Sequence, residues 1–106
     1  MTKYLNFSED FMEKILSGEK RATLRLGIKD YRPGEEVVVR CGERIIGRAI
    51  IKDVRIKSFD EITYVDVKMD GYENKEKLRK KLEEFYGKFE DDALFTQIIF
   101  ELSEID

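Results

Sequence analysis

The run Val37-Val38-Val39-Arg40-Cys41, followed at once by Gly42-Glu43 and then by Arg44-Ile45-Ile46-Gly47-Arg48-Ala49-Ile50-Ile51, constrains this chain most. β-Branched side chains are stiff at χ1 and pack well on a pleated surface, so both runs favour strand. Gly42-Glu43 is a candidate turn for a hairpin joining them antiparallel. Gly47, inside the second run, predicts a bulge or a tight bend of the kind that turns a corner in a small barrel. The apolar pattern then continues to Val54 and Ile56.

The other elements follow from their own punctuation. Tyr4-Leu5-Asn6-Phe7 alternates as a short first strand. Ser8 is a good N-cap, and Glu9 and Asp10 put carboxylates in a first turn, where the helix dipole favours them. Phe11 with Ile15 and Met12 with Leu16 recur at i, i+4 as an apolar stripe, and Gly18 supplies the stop. Pro33 and Gly34 in series permit a type II turn. Asp60 to Val67 is expected to form a short helix, against the strand preference of Thr63, Val65 and Val67. Asn74 or Glu73 opens a clearer helix, with Leu78, Leu82, Phe85 and Tyr86 on one stripe and Gly87 at its end. Leu94 to Leu102 reads as a last strand. The order β-α-β-β-β-α-β predicts an α+β fold, a small mixed barrel. A length of 106 residues leaves room for one domain, residues 1–106, around one core.

Chemistry concentrates at Gly18-Glu19-Lys20-Arg21-Ala22-Thr23-Leu24-Arg25. Just past the helix stop, Arg21 to Leu26 alternates as a strand: Ala22, Leu24 and Leu26 point one way, Arg21, Thr23 and Arg25 the other. Two permanent cations and a hydroxyl on one face, with Lys20 at the strand mouth, suit an anionic or carbonyl-bearing ligand.

Composition narrows the chemistry further. With no histidine there is no imidazole base and no His/Cys zinc site, so proton transfer falls to Lys, Asp, Glu, Tyr or Cys41. No metal or other cofactor is expected. The single Cys41 excludes an internal disulfide and reads as a small buried hydrophobe. No apolar run approaches a membrane span and no signal-peptide pattern opens the chain, so a cytoplasmic protein with no membrane partner is expected. The net charge of −3 argues against nonspecific coating of nucleic acid. Yet residues 1–57 carry 13 Lys/Arg against 9 Asp/Glu, and residues 58–106 carry 7 against 14. A basic face from the first half can still meet phosphate.

The pattern G-x-K-x-x-T-x-R over Gly18, Lys20, Thr23 and Arg25 resembles the ASCH family of the PUA-like superfamily. Four more places fit in the family's order: the Phe11–Leu16 helix, the Tyr31-Arg32-Pro33-Gly34-Glu35 turn before the valine strand, Asp70-Gly71-Tyr72 leading to a helix that ends Phe85-Tyr86-Gly87, and a closing strand with Ile98-Ile99-Phe100. The resemblance implies a PUA-like β-barrel of about five to six mixed strands with two main helices flanking a cleft, and recognition of RNA or a modified nucleoside.

Some small relatives are amidohydrolases acting on N(4)-acetylcytidine through a lysine, a threonine and a glutamate, and others are linked to RNA cleavage. The first two residues map onto Lys20 and Thr23, with Asp70 or Glu73 offered for the third. The hydrolytic alternative takes Thr23 as nucleophile and Lys20 as base, which requires a depressed lysine pKa. As a binding site, Lys20 and Arg25 hold a phosphate or base carbonyl, Thr23 bonds a base edge, and Arg21, Tyr31 and Tyr72 are further ligand candidates, the tyrosines by stacking. A metal-dependent ribonuclease is the weaker alternative, since no carboxylate cluster stands out.

Overall fold

The structure, a computed structural model, describes residues 2–106. Five strands, β1 (Tyr4–Phe7), β2 (Ala22–Leu26), β3 (Glu36–Cys41), β4 (Arg44–Ser58) and β5 (Leu94–Ile105), form one mixed sheet in the order β1-β3-β4-β5-β2. β1 runs parallel to β3, and the other neighbours are antiparallel. Three helices complete the α+β fold: α1 (Met12–Ser17), α2 (Tyr64–Met69) and α3 (Lys75–Tyr86).

The hairpin expected at Gly42-Glu43 is present, and β4 runs on through Val54 and Ile56 to Ser58. Gly47 sits where the β3–β4 register shifts, at φ 152°. A Cβ there would lie 2.0 Å from the Glu104 carbonyl oxygen, so the close approach of β5 admits only glycine. This shift, with two more along β4–β5, curls the sheet into a half-barrel. Its two terminal strands, β1 and β2, face each other across the open seam. Arg25 on β2 bridges that seam, its Nη2 donating to the Asn6 carbonyl on β1 at 2.7 Å.

Apolar side chains gather in two clusters rather than the single core expected. One, built on Leu5, Val37, Val39, Ile51 and Ile98, fills the barrel beneath α1. The other packs α2 and α3 through Val67, Leu78 and Leu82 onto Leu24, Phe59 and Phe95. Cys41 is buried in the first.

Helix limits follow capping chemistry. α1 is preceded by a 3-10 turn at Glu9–Phe11 and ends at Gly18, whose φ of 84° is the left-handed cap expected of it. The helix expected from Asp60 begins only at Tyr64, after a separate 3-10 turn at Phe59–Glu61. A capping box decides this: the Thr63 hydroxyl accepts from the Asp66 amide, and the Asp66 carboxylate accepts from the Thr63 amide. The β-branched residues are tolerated because Thr63 lies at the cap and Val67 is buried. Asn74 caps α3 by accepting from the Lys77 amide, and Gly87 ends it. No helix among the described residues is long and apolar enough to cross a membrane.

Candidate functional site

The Gly18 stop throws the chain directly into β2, and Lys20 is captured at that junction. Its amide donates to Lys14 O at 2.9 Å, and the next amide, of Arg21, donates to Met69 O at 2.7 Å. The Lys20 side chain is therefore pressed under the C-terminus of α2, with 3% of its surface exposed. Its Nζ donates to the Asp70 carboxylate and, at 3.1 Å, to the Asp70 carbonyl. Asp70 is equally buried, at 3%, and caps α2. Gly71 then turns away at φ 90°, passing close enough that a Cβ would touch the Lys20 stem at 3.4 Å. Around the ammonium stand the rings of Phe11, Tyr72 and Phe7, with centroids 4.8, 5.7 and 5.9 Å away.

Thr23 and Arg25 follow at i+3 and i+5 on β2, paired with Ile98 and Thr96 of β5. Arg25 lies over the Phe7 ring at 5.0 Å, and its Nε is buried with no hydrogen-bond partner. Lys20, Thr23, Arg25, Asp70 and Tyr72 all line one cavity of about 220 Å³ in the barrel seam. Asn6 and Phe7 of β1 form one side of it, and Leu82, Phe85 and Tyr86 of α3 roof it. Ala22 and Leu24 are buried as the alternation requires, but Leu24 also reaches the lining, because the cavity abuts the second apolar cluster.

A family model for the ASCH domain matches residues 3–104. The chain belongs to the ASCH domain family. That family is associated with RNA binding. Among solved structures, a protein from Enterococcus faecalis V583 is similar with a TM-score of 0.78 at 13% identity, over 100% of this chain and 83% of that one. An ASCH domain from Lactobacillus crispatus JV V101 gives 0.68 at 20% identity, over 97% and 79%. ASCH from Zymomonas mobilis gives 0.70 at 10% identity, over 96% and 68%. These likenesses concern the fold. No curated protein matches the chain.

Electrostatics inside this ASCH domain are set by dehydration. Burial lowers the Lys20 pKa, and the attraction of Asp70 only partly restores it. Burial likewise raises Asp70, against the pull of Lys20. Dehydration thus works against the charge on both partners, and their mutual attraction opposes it. Burial also lowers Arg25 and raises Tyr72, the latter helped by the Asp70 charge.

Three candidates fall outside the cavity. Glu73 points into solvent and pairs with Lys77 at 2.7 Å, one turn into α3, so of the two acids in this region only Asp70 reaches Lys20. Arg21 is exposed and lines a separate shallow groove with Lys52 and Glu101, because the strand starts only at Ala22 and Arg21 still belongs to the link from α1. Tyr31 donates its hydroxyl to Tyr4 O at 2.9 Å and packs on the first apolar cluster. Asn6, Phe7 and Lys81, unmarked by any sequence motif, join the lining. Among the described residues no three Asp, Glu or Cys side chains gather as metal ligands.

Proposed function

We propose that the seam cavity binds a single base of RNA or a modified nucleoside. The observation that carries this is convergence: Lys20, Thr23 and Arg25 from β2 and its mouth, and Asp70 from the end of α2, bring donors and acceptors to one small, aromatic-walled space. At about 220 Å³ it lies below the ~300–1,000 Å³ of drug-sized ligand pockets, a volume suited to one base rather than a stretch of strand. Phe11, Tyr72 and Phe85 offer ring faces or edges to a planar ligand. Arg25 Nε supplies an unspent donor for a phosphate or base oxygen, Thr23 a hydroxyl, and Asp70 an acceptor for an exocyclic amine. Titrating short RNAs and nucleosides while following cavity-residue NMR shifts tests the reading. Arg25→Ala should weaken binding by about 1–3 kcal/mol, as for a charge-assisted hydrogen bond, and exposed Lys80→Ala should leave it unchanged. Equal losses at both positions reject a specific pocket.

A second reading, amide hydrolysis of an acylated cytidine, draws on the dehydrated Lys20. In it Lys20 takes the Thr23 proton as Thr23 Oγ attacks the acyl carbon, then returns that proton to the departing cytidine nitrogen; water afterwards releases acetate from Thr23. The grip of Asp70 on Lys20 works against the base role, since the carboxylate favours the charged lysine. Release of cytidine and acetate from N(4)-acetylcytidine, abolished in both Lys20→Ala and Thr23→Ala, is the expected result for this chemistry. No release across a broad pH range, with nucleoside binding intact, rejects it.

A further inference from the structure

A buried lysine and a half-buried arginine, whose Nε is itself buried, face one buried carboxylate in the seam cavity. Lys20 and Asp70 answer each other in their ion pair. Arg25 has no carboxylate partner among the described residues: its Nη2 donates to the neutral Asn6 carbonyl, and its Nε donates to nothing. The remaining cation of the lining, Lys81, is already matched by Asp10 at 3.1 Å. The wall therefore carries one surplus positive charge, lodged against the Phe7 ring. Taking a charge even partly out of water without its counter-charge is costly, and the ring face offsets only part of that cost.

A ligand that brings an anionic oxygen to Arg25 Nε supplies the missing counter-charge and satisfies the orphaned donor in one contact. A neutral carbonyl does only the second. We infer that the cavity selects a phosphate-bearing nucleotide over an uncharged nucleoside, with the phosphate at Arg25 and the base among the aromatic rings near Lys20. This rests on the base-binding reading above and chooses within it. The phosphate belongs to a free mononucleotide or to one residue of an RNA strand, and the chemistry at Arg25 is the same for both.

Calorimetric titration of the intact chain with cytidine, 5′-CMP, inorganic phosphate and a cytidine-containing RNA trinucleotide tests it. At least one of the two phosphate-bearing nucleotide ligands should bind about tenfold to a hundredfold tighter than cytidine, the range for a charge-assisted contact. Arg25→Gln should erase the difference, bringing that ligand down to the affinity the same variant shows for cytidine. Tighter binding of the trinucleotide than of 5′-CMP assigns the phosphate to an RNA strand, and the reverse order assigns it to a mononucleotide; both support the inference. Equal affinity for cytidine and both phosphate-bearing ligands overturns it and leaves base binding standing. Phosphate alone binding as tightly as 5′-CMP, or no binding by any nucleoside or nucleotide, overturns the base-binding reading itself. The ligand comparison on the unaltered chain decides the matter even where Arg25→Gln fails to fold.

Discussion

Asp66 on α2 and Asp70 at its C-cap lie one turn apart, are buried to 5% and 3% exposure, and each meets a lysine, yet they do opposite things. Asp66 is saturated. Gln97 Nε2 donates to it at 2.9 Å, Lys57 Nζ at 2.8 Å and the Thr63 amide at 2.9 Å. Burial alone would raise its pKa, but the bonds from Gln97, Lys57 and Thr63 together outweigh burial and hold it at about 2. Asp70 has one side chain to answer it, and there burial wins. Lys57 also keeps a path to water, with 19% of its side chain exposed, whereas Lys20 keeps 2%. One acid fastens α2 to the sheet through β4 and β5. The other is held, underpaired, at the wall of a cavity. A carboxylate with spare capacity beside a void can exchange partners with a ligand; a saturated one cannot.

The largest effect that tests this contrast comes from splitting the buried pair. Lys20→Met leaves Asp70 without its counter-charge and should cost about 3–5 kcal/mol of stability, read from urea unfolding. Lys20→Met combined with Asp70→Leu removes both charges and should recover most of that loss, while ligand binding stays abolished. A double variant that still binds would show that the pair serves the fold and not the ligand.

Acid titration separates the two carboxylates next. A folded-state pKa of about 2 for Asp66 lies below its ordinary value of 3.8, so its contribution is fully present above pH 4 and is lost as pH falls toward 2. The difference corresponds to about 2 kcal/mol. Asp66→Asn should flatten this acid limb of the stability curve. Asp70 is raised, so the native state takes up its proton more readily than the unfolded chain, and acidification through its range favours the fold. Asp70→Asn should therefore leave the loss toward pH 2 in place. Matching curves for the two variants would remove the distinction.

Much of this arrangement was legible in the sequence because it rests on local rules. The Gly18 stop, the alternation read from Arg21 and holding from Ala22, and the caps at Asn74 and Gly87 are short-range, and the first two put Lys20, Thr23 and Arg25 on one mouth. Ser8, read as an N-cap, makes no side-chain cap bond. Gly47 was legible as a bend, although the Glu104 carbonyl that requires it is 57 residues away. What local rules cannot reach is which strands close the seam. Asn6 and Phe7 enter the cavity only because β1 pairs with β3 and so arrives opposite β2. The Asp70–Glu73 ambiguity was likewise tertiary: both acids flank Tyr72, and only the turn at Gly71 decides which one faces Lys20. The roles of Asp66 and Gln97 carried no motif at all, since their contact spans 31 residues.

The smallest effect asks whether the two ends of α2 are independent. Thr63→Ala removes the hydroxyl that accepts from the Asp66 amide at 3.2 Å but keeps the Thr63 amide that donates to the carboxylate. Loss of such an N-cap costs about 1 kcal/mol, and hydrogen exchange should show it as fraying confined to the first turn. At the other end, the Asp70 amide is held by Asp66 O at 3.1 Å and the Gly71 amide by Lys68 O at 3.0 Å, neither of which needs the hydroxyl. Ligand affinity should therefore stay within about twofold of the unaltered chain, a change of ~0.4 kcal/mol. A larger drop would mean that the cap positions Asp70 through the helix. The saturated acid would then be part of the binding machinery, and the contrast between the two aspartates would be one of degree.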